Sequence, residues 1–482
     1  MEWLRHYAKF IILTVGVSGF LLFHFLPDSG DANLAAYHTL GFICFLASLW
    51  ISEIIPLGAA SLLPLIYFPM AGILGPEDLG ESYFNSTIFL FLGGFLLAAS
   101  MEKWNLHKRI ALWILTITGK QIVAGFMLAS AFLSMWISNT ATAMMMLPIA
   151  GAVLSRLSGP GWNRPVYLGV AYGCSIGGVA TLIGTPPNLA FSRIYKQNFG
   201  EESFPNFAEW ILTALPLAII LLFIAYIVLD KVLFRAGRED SLGRLHWKAQ
   251  LAGLGKATKE EKLAGAIFAA TALLWIFRSP LDLQAFSIPG WIQLLDGLPG
   301  QNKINDGTVA LTMALICFAI PAPSIKGSRL LEAEDLNRVP WSILLLFGAG
   351  FALASAFESS GLSHMAGTFL QSVRPESIFL MIFIINLSMN MMTEFTSNTA
   401  TAQIILPVMA ALARESDLPA FGLMAGVTFS VSMAFMMPVA TPPNAIVFGS
   451  GKLKIWDMVR TGLILNPITA LVVSIYCYFL YF

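Results

Sequence analysis

The sequence predicts an all-α polytopic membrane protein with about 11 transmembrane helices, two re-entrant helical hairpins and an inverted-topology repeat. Three observations predict this fold class. Of 482 residues, 57% are hydrophobic and only 12% are charged, with a mean hydropathy of +0.73. A soluble protein of this size could not cover its surface with so few charges. Apolar runs long enough to cross a bilayer recur along the chain, and its two halves carry the same motifs in the same order.

Charge balance and cysteine usage exclude several classes of protein. Lysine plus arginine and aspartate plus glutamate both number 28, so the net charge is zero and no nucleic-acid partner is indicated. The four cysteines lie far apart in apolar stretches, which indicates neither a disulfide framework nor a zinc site. No phosphate-binding loop and no Ser/His/Asp order appears, so we expect neither an enzyme nor an ATP-driven pump.

The spanning segments follow from the apolar runs. The first run begins after Arg5 and Lys9 and lacks a small-residue cleavage site before Asp28, so we expect a retained helix rather than a signal peptide. The predicted spans are 10–27, 37–53, 54–74, 86–103, 165–196, 207–230, 263–277, 307–322, 341–358, 418–449 and 457–481.

Two longer apolar stretches, 121–157 and 376–413, have a polar cluster near the middle. A continuous helix of that length would overshoot the bilayer. We therefore predict re-entrant hairpins, because irregular backbone at membrane depth is tolerated only where it is buried in protein or lines a cavity.

Basic residues predict the orientation. The segment 231–262 is rich in lysine and arginine, whereas the loop 278–306 has only Arg278 and Lys303 against three aspartates. The first segment is therefore expected in the cytoplasm. Counting spans from it predicts a cytoplasmic N-terminus and an external C-terminus. The first hairpin then opens to the cytoplasm and the second to the outside.

The internal repeat is specific. The sequence SNTATA at 138–143 recurs at 397–402, 259 positions later, and TPPN at 185–188 recurs at 441–444, 256 positions later. Because the predicted copies start from opposite sides of the membrane, they form an inverted repeat. This is the architecture of many secondary transporters, whose binding site lies where the repeats meet.

The hairpin tips carry the candidate chemistry. Ser134 and Ser138 are four residues apart, and Thr393 and Ser397 repeat that spacing; an asparagine and a threonine follow each pair. Their oxygens suit a hard cation such as sodium, and the N–H groups that begin the next half-helix suit a carboxylate. Helix packing alone does not require the same set of polar residues at both hairpin tips.

The TPPN segments predict breaks in two helices. Paired prolines remove two N–H donors, which orphans the carbonyls of Leu182 and Ile183 in one copy and of Pro438 and Val439 in the other. An unwound helix that turns carbonyls towards a cation is one solution, and a kink healed by water or side chains is the other.

Charge is nearly absent around these motifs. No charged residue lies between Gln121 and Ser155, and none from Leu418 to Ser450. An anion at the tips would therefore need bound cations as counter-charge, which favours cation coupling over simple exchange. Glu394 is interpreted either as a proton site or as a buried residue bonded to tip amides, and the sequence leaves both open.

The paired SNTAT tips and TPPN breaks resemble the divalent anion/sodium symporter family, which includes the bacterial INDY-type dicarboxylate transporters. The resemblance implies a homodimer of protomers with a static scaffold and a mobile transport domain that moves in an elevator motion. It implies a first sodium site at Ser134, Ser138, Asn139 and the Gly184 carbonyl, and a second at Thr393, Ser397, Asn398 and the Ala440 carbonyl. The implied substrate-binding residues are Asn139, Thr140, Asn398, Thr399, Thr185, Pro186, Thr441 and Pro442.

The predicted domain organisation combines the two copies of the repeat with the scaffold helices that the resemblance implies. It comprises N-terminal scaffold helices (1–85), a first repeat (86–230), a basic cytoplasmic loop (231–262), further scaffold helices (263–340) and a second repeat (341–482).

The predicted function is a sodium-coupled symporter that imports C4-dicarboxylates such as succinate, malate or fumarate across the bacterial inner membrane. No cofactor is expected beyond the coupling sodium, and the lipid bilayer and a second copy of the chain are the expected partners. The alternatives are a sodium-coupled citrate or sulfate symporter and a sodium-independent dicarboxylate exchanger. A channel would need a continuous polar pore, and the inverted repeat with opposed hairpins argues against it. A membrane-embedded enzyme is disfavoured because the sequence shows no nucleophile or metal cluster.

Overall fold

The computed structural model describes residues 2–25, 34–155, 160–200, 203–234, 244–282 and 287–482. Helices dominate these ranges. The β-structure in them consists of the antiparallel pair Leu281–Asp282 (β1) and Ser287–Ile288 (β2) and an isolated bridge between Pro321 and Arg329. Parts of two sequence features, the end of the first apolar run at 26–27 and the basic residues Arg235 and Arg238, lie outside the described residues.

The N-terminal part contains two long helices that pack along each other, followed by three short ones. Their bounds are Glu2–His24 (α1), Leu34–Ser52 (α2), Leu57–Ala60 (α3), Pro64–Met70 (α4) and Pro76–Tyr83 (α5).

The predicted span at 54–74 contains two short helices, α3 and α4, rather than one regular helix. Pro56 stands directly before α3, Pro64 begins α4, and Pro69 lies inside α4. Each proline lacks an N–H donor, so the backbone hydrogen-bond ladder is interrupted within a few residues and two short helices result.

The described part of the first repeat contains seven helices, one of which, Leu106–Thr118, lies outside the predicted spans and hairpins. They are Ser86–Lys103 (α6), Leu106–Thr118 (α7), Ile122–Ser134 (α8), Asn139–Leu154 (α9), Asn163–Gly178 (α10), Pro186–Phe199 (α11) and Phe207–Tyr226 (α12). A π-helix, Ile227–Leu233, continues α12, and a 3-10 turn, Pro160–Trp162, precedes α10.

The middle of the chain contains three helices and short turns. The helices are Arg244–Gly253 (α13), Lys259–Ile276 (α14) and Asp306–Ala319 (α15). The 3-10 turns are Trp291–Leu295, Gln301–Lys303 and Ala333–Arg338.

The second repeat again contains seven helices. They are Trp341–Ser359 (α16), Leu362–Val373 (α17), Ile378–Met392 (α18), Asn398–Glu415 (α19), Ala420–Val431 (α20), Pro442–Gly449 (α21) and Ile455–Tyr481 (α22). The helices α17, α18 and α21 begin 256 positions after α7, α8 and α11, and α19 begins 259 positions after α9. Both repeats therefore divide at the predicted polar clusters and at the prolines.

Among the described residues, five helical stretches are long and apolar enough to cross a membrane: Leu34–Ser52, Pro76–Lys103, Phe207–Leu233, Trp341–Ser359 and Ile455–Tyr481. The pair α17 and α18, bent by 117°, makes a sixth if it is one span. Side chains such as Phe223 and Phe479 on these stretches are 63% and 81% exposed, as a lipid-facing surface requires. The count of eleven stays a prediction, because it also includes shorter and broken helices.

The two repeats pack crosswise. The helix α11, from the first repeat, packs against α19 of the second, and α21 packs against α9. Within each repeat, α8 packs against α10 and α18 packs against α20. The tips and breaks of both copies are consequently brought into one region of the core, where a single cluster of buried apolar residues includes side chains of both repeats.

Candidate functional site

The first tip, residues 135–138, separates α8 from α9. Ser138 occupies the N-cap position of α9, and its Oγ accepts a hydrogen bond from the Ala141 N–H at 3.2 Å. This contact satisfies one of the orphan donors of the helix start. The fully buried Ser134 donates its hydroxyl to Asn139 Oδ1. The serine pair thus both starts the helix and holds the asparagine side chain.

The second tip, residues 393–397, repeats part of this arrangement. Thr393 Oγ1 lies 2.6 Å from Asn398 Oδ1, in the position that Ser134 takes towards Asn139, and 3.0 Å from the Val431 carbonyl oxygen. Ser397 takes the N-cap position of α19 but makes no side-chain cap hydrogen bond. The pairing of a hydroxyl with an asparagine is therefore common to both tips, whereas the serine cap belongs to the first.

The first break is wider than the prolines alone predict. The helix α10 ends at Gly178, so the carbonyls of Gly178 and Val179 are left outside the ladder in addition to those expected at Leu182 and Ile183. Pro186 begins α11 and Thr185 before it is extended, with φ −143° and ψ 140°. Both conformations follow from the fixed φ of proline and its effect on the preceding residue.

Asn188 satisfies much of this break. Its Nδ2 lies 3.3, 3.1 and 2.7 Å from the carbonyl oxygens of Gly178, Val179 and Thr181, and the side chain is fully buried. Trp210 on α12 donates Nε1–H to the Val179 carbonyl at 3.2 Å. The last residue of the TPPN motif is therefore a structural cap for the unwound segment.

The second break, residues 432–441, is held in the same manner. Asn444 Nδ2 donates to the carbonyl oxygens of Ala434 and Met437, both at 3.1 Å. Thr441 Oγ1 accepts the Asn444 N–H at 3.3 Å and caps α21. Of the two solutions left open by the sequence, side chains therefore satisfy some carbonyls of each break, and carbonyls turned towards a cation stay a prediction.

The structure brings Ser134, Asn139 and Gly184 together. A methyl group added to Gly178 would lie 2.8 Å from Asn139 Oδ1 and 3.0 Å from the Gly184 carbonyl oxygen. One added to Gly184 would lie 2.9 Å from the Ser134 carbonyl oxygen. The absence of side chains at both glycines therefore allows the tip and the break to touch, and oxygens of three predicted sodium-site residues converge there.

The structure brings fewer of the predicted ligands of the second sodium site into contact. Thr393 and Asn398 are in contact, and Ser397 directly precedes Asn398. Ala440 is buried in the second break, where its N–H donates to the Met437 carbonyl at 3.2 Å. The contacts given for Ala440 stay within its own break, so its role as a sodium ligand stays a prediction.

The predicted substrate residues share one structural property. All eight lie at the start of a helix, and the four helices involved pack in the two crosswise pairs α9 with α21 and α11 with α19. Helix N-termini carry partial positive charge and suit carboxylates. The eight residues are Asn139 and Thr140 (α9), Thr185 and Pro186 (α11), Asn398 and Thr399 (α19), and Thr441 and Pro442 (α21).

Glu394 is fully buried directly after Thr393, and amide groups surround it. Its carboxylate oxygens accept hydrogen bonds from the backbone N–H groups of residues 435, 436 and 437, at 2.6, 2.9 and 2.8 Å. Asn466 on α22 donates Nδ2–H to the same carboxylate at 2.6 Å. Of the two interpretations, the geometry favours a structural role, although the amides belong to the second break rather than to the tip.

Sequence reasoning missed the roles of Asn188, Asn444, Trp210 and Asn466. The asparagines of the TPPN motif were visible as part of a repeat, and their duplication was the available signal. Trp210 and Asn466 stand 256 positions apart. Trp210 contacts the first break directly, whereas Asn466 contacts Glu394, which binds the second break. Their different side chains hide this correspondence in the sequence.

The sequence model of a protein family, described as the sodium:sulfate symporter transmembrane region, matches residues 6–481 of the chain. The chain belongs to the divalent anion/sodium symporter family. This chain is 37% identical over 488 residues to the sodium-dependent dicarboxylate transporter SdcS of Staphylococcus aureus strain bovine RF122 / ET3-1, across 98% of this chain and 91% of the relative. The SdcS protein of strain MRSA252 matches with the same identity and coverage over 489 residues.

The fold of this chain is similar to that of a solved transporter structure. The crystal structure of the Alcanivorax borkumensis YdaH transporter matches with a TM-score of 0.55 and 12% sequence identity, over 99% of this chain and 98% of that chain. At that identity the similarity concerns the fold alone. The family and the apolar helices establish a multi-pass transporter of a bacterial membrane rather than an enzyme.

Proposed function

We propose that this protein is a sodium-coupled symporter that imports C4-dicarboxylates such as succinate, malate or fumarate across the bacterial inner membrane. The observation that carries the proposal is the duplicated tip, in which a buried hydroxyl pairs with the asparagine that begins the next helix. The SdcS relatives are sodium-dependent dicarboxylate transporters, which supports the same class of substrate and the same ion.

The geometry suits a dianion that is bound together with cations. Two crosswise pairs of helix N-termini offer partial positive charge to the carboxylates. No charged residue lies in 121–155 or 418–450, so sodium bound beside the tips would supply the remaining counter-charge. The first sodium would be held by Ser134, Ser138, Asn139 and the Gly184 carbonyl. The second would be held by Thr393, Ser397, Asn398 and the Ala440 carbonyl.

The proposed transport cycle is an elevator motion within each protomer of a homodimer. The two repeats, with opposite orientation in the bilayer, would carry the site past scaffold helices drawn from 1–85 and 263–340. The basic residues of 244–262 support a cytoplasmic position for that segment, and hence a cytoplasmic N-terminus and an external C-terminus. Each net positive charge that moves inward gains about 2.3 kcal/mol per 100 mV of membrane potential.

A second candidate substrate is sulfate, because the matching family description names sodium:sulfate symport. Sulfate is also a divalent anion and would meet the same helix N-termini. Competition by unlabelled sulfate against labelled succinate separates the two substrates.

The experiment is uptake of labelled succinate into proteoliposomes with sodium or potassium outside and neither substrate nor sodium inside. Uptake that requires external sodium and saturates with succinate supports symport. Uptake that is equal in both salts and needs preloaded dicarboxylate would indicate an exchanger and contradict the sodium sites. Sodium-dependent uptake of labelled sulfate, but not of succinate, would keep the coupling and change the anion.

A further inference from the structure

The helix α7 has one buried face and one exposed apolar face. Ala111 and Leu115, four residues apart, are fully buried, whereas Trp113 and Ile117, also four apart, are 57% and 54% exposed. With 13 residues the helix is too short to cross a bilayer. A short helix with exposed tryptophan and isoleucine on one face suits the boundary between lipid and water, where tryptophan is enriched.

Two hydrogen bonds join α7 to the segment 244–262, which contains α13 and the start of α14. Trp247 on α13 is fully buried and donates Nε1–H to the Gly119 carbonyl oxygen at 2.8 Å. Arg109 on α7 donates Nη1–H to the Gly255 carbonyl oxygen at 3.1 Å. The two glycines have φ +61° and +69°, which glycine adopts at little cost, and they stand in the turns that follow α7 and α13. These bonds fix the contact between the two segments.

Four lysines flank the two bonds, and we call them the basic seam. Each is the immediate chain neighbour of a residue that makes one of the bonds. The four are Lys108, Lys120, Lys248 and Lys256. All of them are exposed, and none forms an ion pair with another residue that the structure describes. Uncompensated positive charge therefore lies along the contact between α7 and the segment after the first repeat.

The carboxylates of this region are withdrawn from its surface. The helix α7 contains none, and the two in 244–262, Glu260 and Glu261, are both buried. Glu261 Oε2 accepts a hydrogen bond from Arg109 Nη2–H at 3.0 Å, and Glu260 accepts one from the Ser324 hydroxyl at 2.9 Å. The exposed charges of the two segments, wherever the structure describes the side chains, are consequently all positive.

The second repeat keeps the apolar face but not the lysines. Phe369 and Val373 on α17 stand 256 positions after the exposed pair of α7 and are 65% and 60% exposed. His364 and Glu376 take the places of the two seam lysines that flank α7 in the sequence. Contact with lipid tails accounts for the apolar face in both copies. It does not account for the cations, which belong only to the copy whose neighbouring segment is proposed to lie in the cytoplasm.

We propose that the basic seam binds the headgroups of anionic phospholipids in the cytoplasmic leaflet of the membrane. The lysines match the negative charge of that surface, and Trp113 and Ile117 on the same helix contact the acyl region. Long lysine side chains reach the headgroups while their methylene stems lie on apolar surface. Because α7 also packs against α8, the bound lipid would fix the surface beside which the first hairpin enters the membrane. Of the proposed function only the cytoplasmic position of 244–262 is used; the transported ion and anion play no part.

The binding test uses the full-length protein in phosphatidylcholine vesicles that contain a trace of spin-labelled phosphatidylglycerol or, in parallel, of spin-labelled phosphatidylcholine. The ratio of the two motionally restricted fractions measures the preference for the anionic lipid. The seam variant is Lys120→Gln/Lys248→Gln/Lys256→Gln. We expect its preference to be roughly fivefold lower than that of the parent, the effect of about one lysine at an anionic surface. Salt should reduce the preference of the parent.

Two further variants control for charge and for fold. The variant Lys326→Gln/Lys452→Gln/Lys454→Gln removes three exposed lysines from other loops that the span count places on the cytoplasmic side. It loses the same charge as the seam variant and should keep the parent preference. Replacement of the same three seam lysines by arginine keeps the charge and should also keep the preference. Melting temperatures close to that of the parent show that each variant is folded.

Three results would overturn the proposal. The first is an equal preference of the parent and the seam variant for phosphatidylglycerol. The second is an equal loss in the seam and control variants, because binding would then follow net charge rather than this surface. The third is displacement of the labelled lipid by glycerol phosphate at constant ionic strength, which would indicate a site for soluble phosphates. Lipid binding is measured without transport, so a protein that shows no sodium-dependent uptake would contradict the proposed function and leave this test unaffected.

Discussion

Asn188 and Asn444, which stand 256 positions apart, hold the two helix breaks through equivalent contacts. Asn188 Nδ2 contacts the carbonyl oxygens of Gly178 and Thr181 at 3.3 and 2.7 Å. Asn444 Nδ2 contacts those of Ala434 and Met437, again 256 positions on, both at 3.1 Å. In a membrane interior each carbonyl without a donor is costly, so one amide group per repeat stabilises the unwound conformation of its break.

We therefore expect Asn188→Ala and Asn444→Ala to impair uptake strongly and to destabilise the protein, each by roughly 1–3 kcal/mol, because buried carbonyls lose their donor. Uptake and the melting temperature in detergent are the measurements. Gln121→Ala, an exposed amide between α7 and α8, is the matched control and should change neither. Parent-like stability of both asparagine variants would contradict the capping role.

Asn139→Ala and Asn398→Ala should abolish sodium-dependent succinate uptake while the protein still folds and inserts. Each asparagine accepts a hydroxyl hydrogen bond from the preceding helix or tip, through Ser134 or Thr393, and begins the helix that faces the proposed site. Uptake is measured together with the yield of monodisperse protein. Normal transport by both variants would rule out the tip site.

Gly184→Ala should prevent sodium-dependent uptake, since its new methyl group would lie 2.4 Å from the Gly178 carbonyl oxygen and 2.9 Å from the Ser134 carbonyl oxygen, which distorts the break and separates it from the tip. Gly449→Ala is the control, because a methyl group there meets no atom within 4 Å and the backbone is helical. The initial rate of sodium-dependent uptake by each variant is the measurement. Equal rates for the two glycine variants would count against contact between break and tip as the basis of the first sodium site.

Ser138→Ala and Ser397→Ala should both raise the sodium concentration needed for half-maximal uptake, but only the first should lose a helix cap. Ser138 Oγ accepts the Ala141 N–H, whereas Ser397 makes no side-chain cap bond. We expect Ser138→Ala to be less stable by about 1 kcal/mol, the typical value of an N-cap, and Ser397→Ala to unfold like the parent. Sodium titrations and thermal unfolding test the two effects separately; an unchanged sodium dependence in both variants would argue against the proposed cation sites.

Glu394→Gln distinguishes a structural glutamate from a proton carrier. The carboxylate accepts four N–H groups, and the amide of glutamine would direct its own N–H donors at some of them. We expect a loss of stability of roughly 1–3 kcal/mol from the unsatisfied donors. A proton carrier predicts the contrary result, a stable variant whose transport has lost its pH dependence. Thermal unfolding and the pH profile of uptake decide between the two.

Much of the fold was predictable because the sequence carries its signals locally. Residues 86–103 were predicted from hydropathy and form the helix Ser86–Lys103. The polar cluster SNTATA and the prolines of TPPN marked the divisions of both repeats, since each acts on the hydrogen bonds of its own backbone.

The remainder depends on tertiary contacts or on weaker patterns. The helices α7 and α17 have polar and apolar faces, so a search for uninterrupted apolar runs does not detect them. The partners of Glu394 lie 41 to 72 positions away in the chain. Nothing in the local sequence relates such residues, so the stabilisation of the breaks became visible only in three dimensions.

The bonds that Glu394 receives from residues 435–437 come from the peptide backbone. Substitutions on the two sides of this contact therefore have different effects. A substitution at Phe435, Met436 or Met437 keeps the backbone N–H donor unless the new residue is proline, whereas a substitution of Glu394 removes the acceptor that all three donors share. Among descendants of this gene, residues 435–437 are free to drift as far as this contact is concerned. The glutamate has no such freedom, and its persistence would reflect the shape of the break rather than the identity of the transported anion.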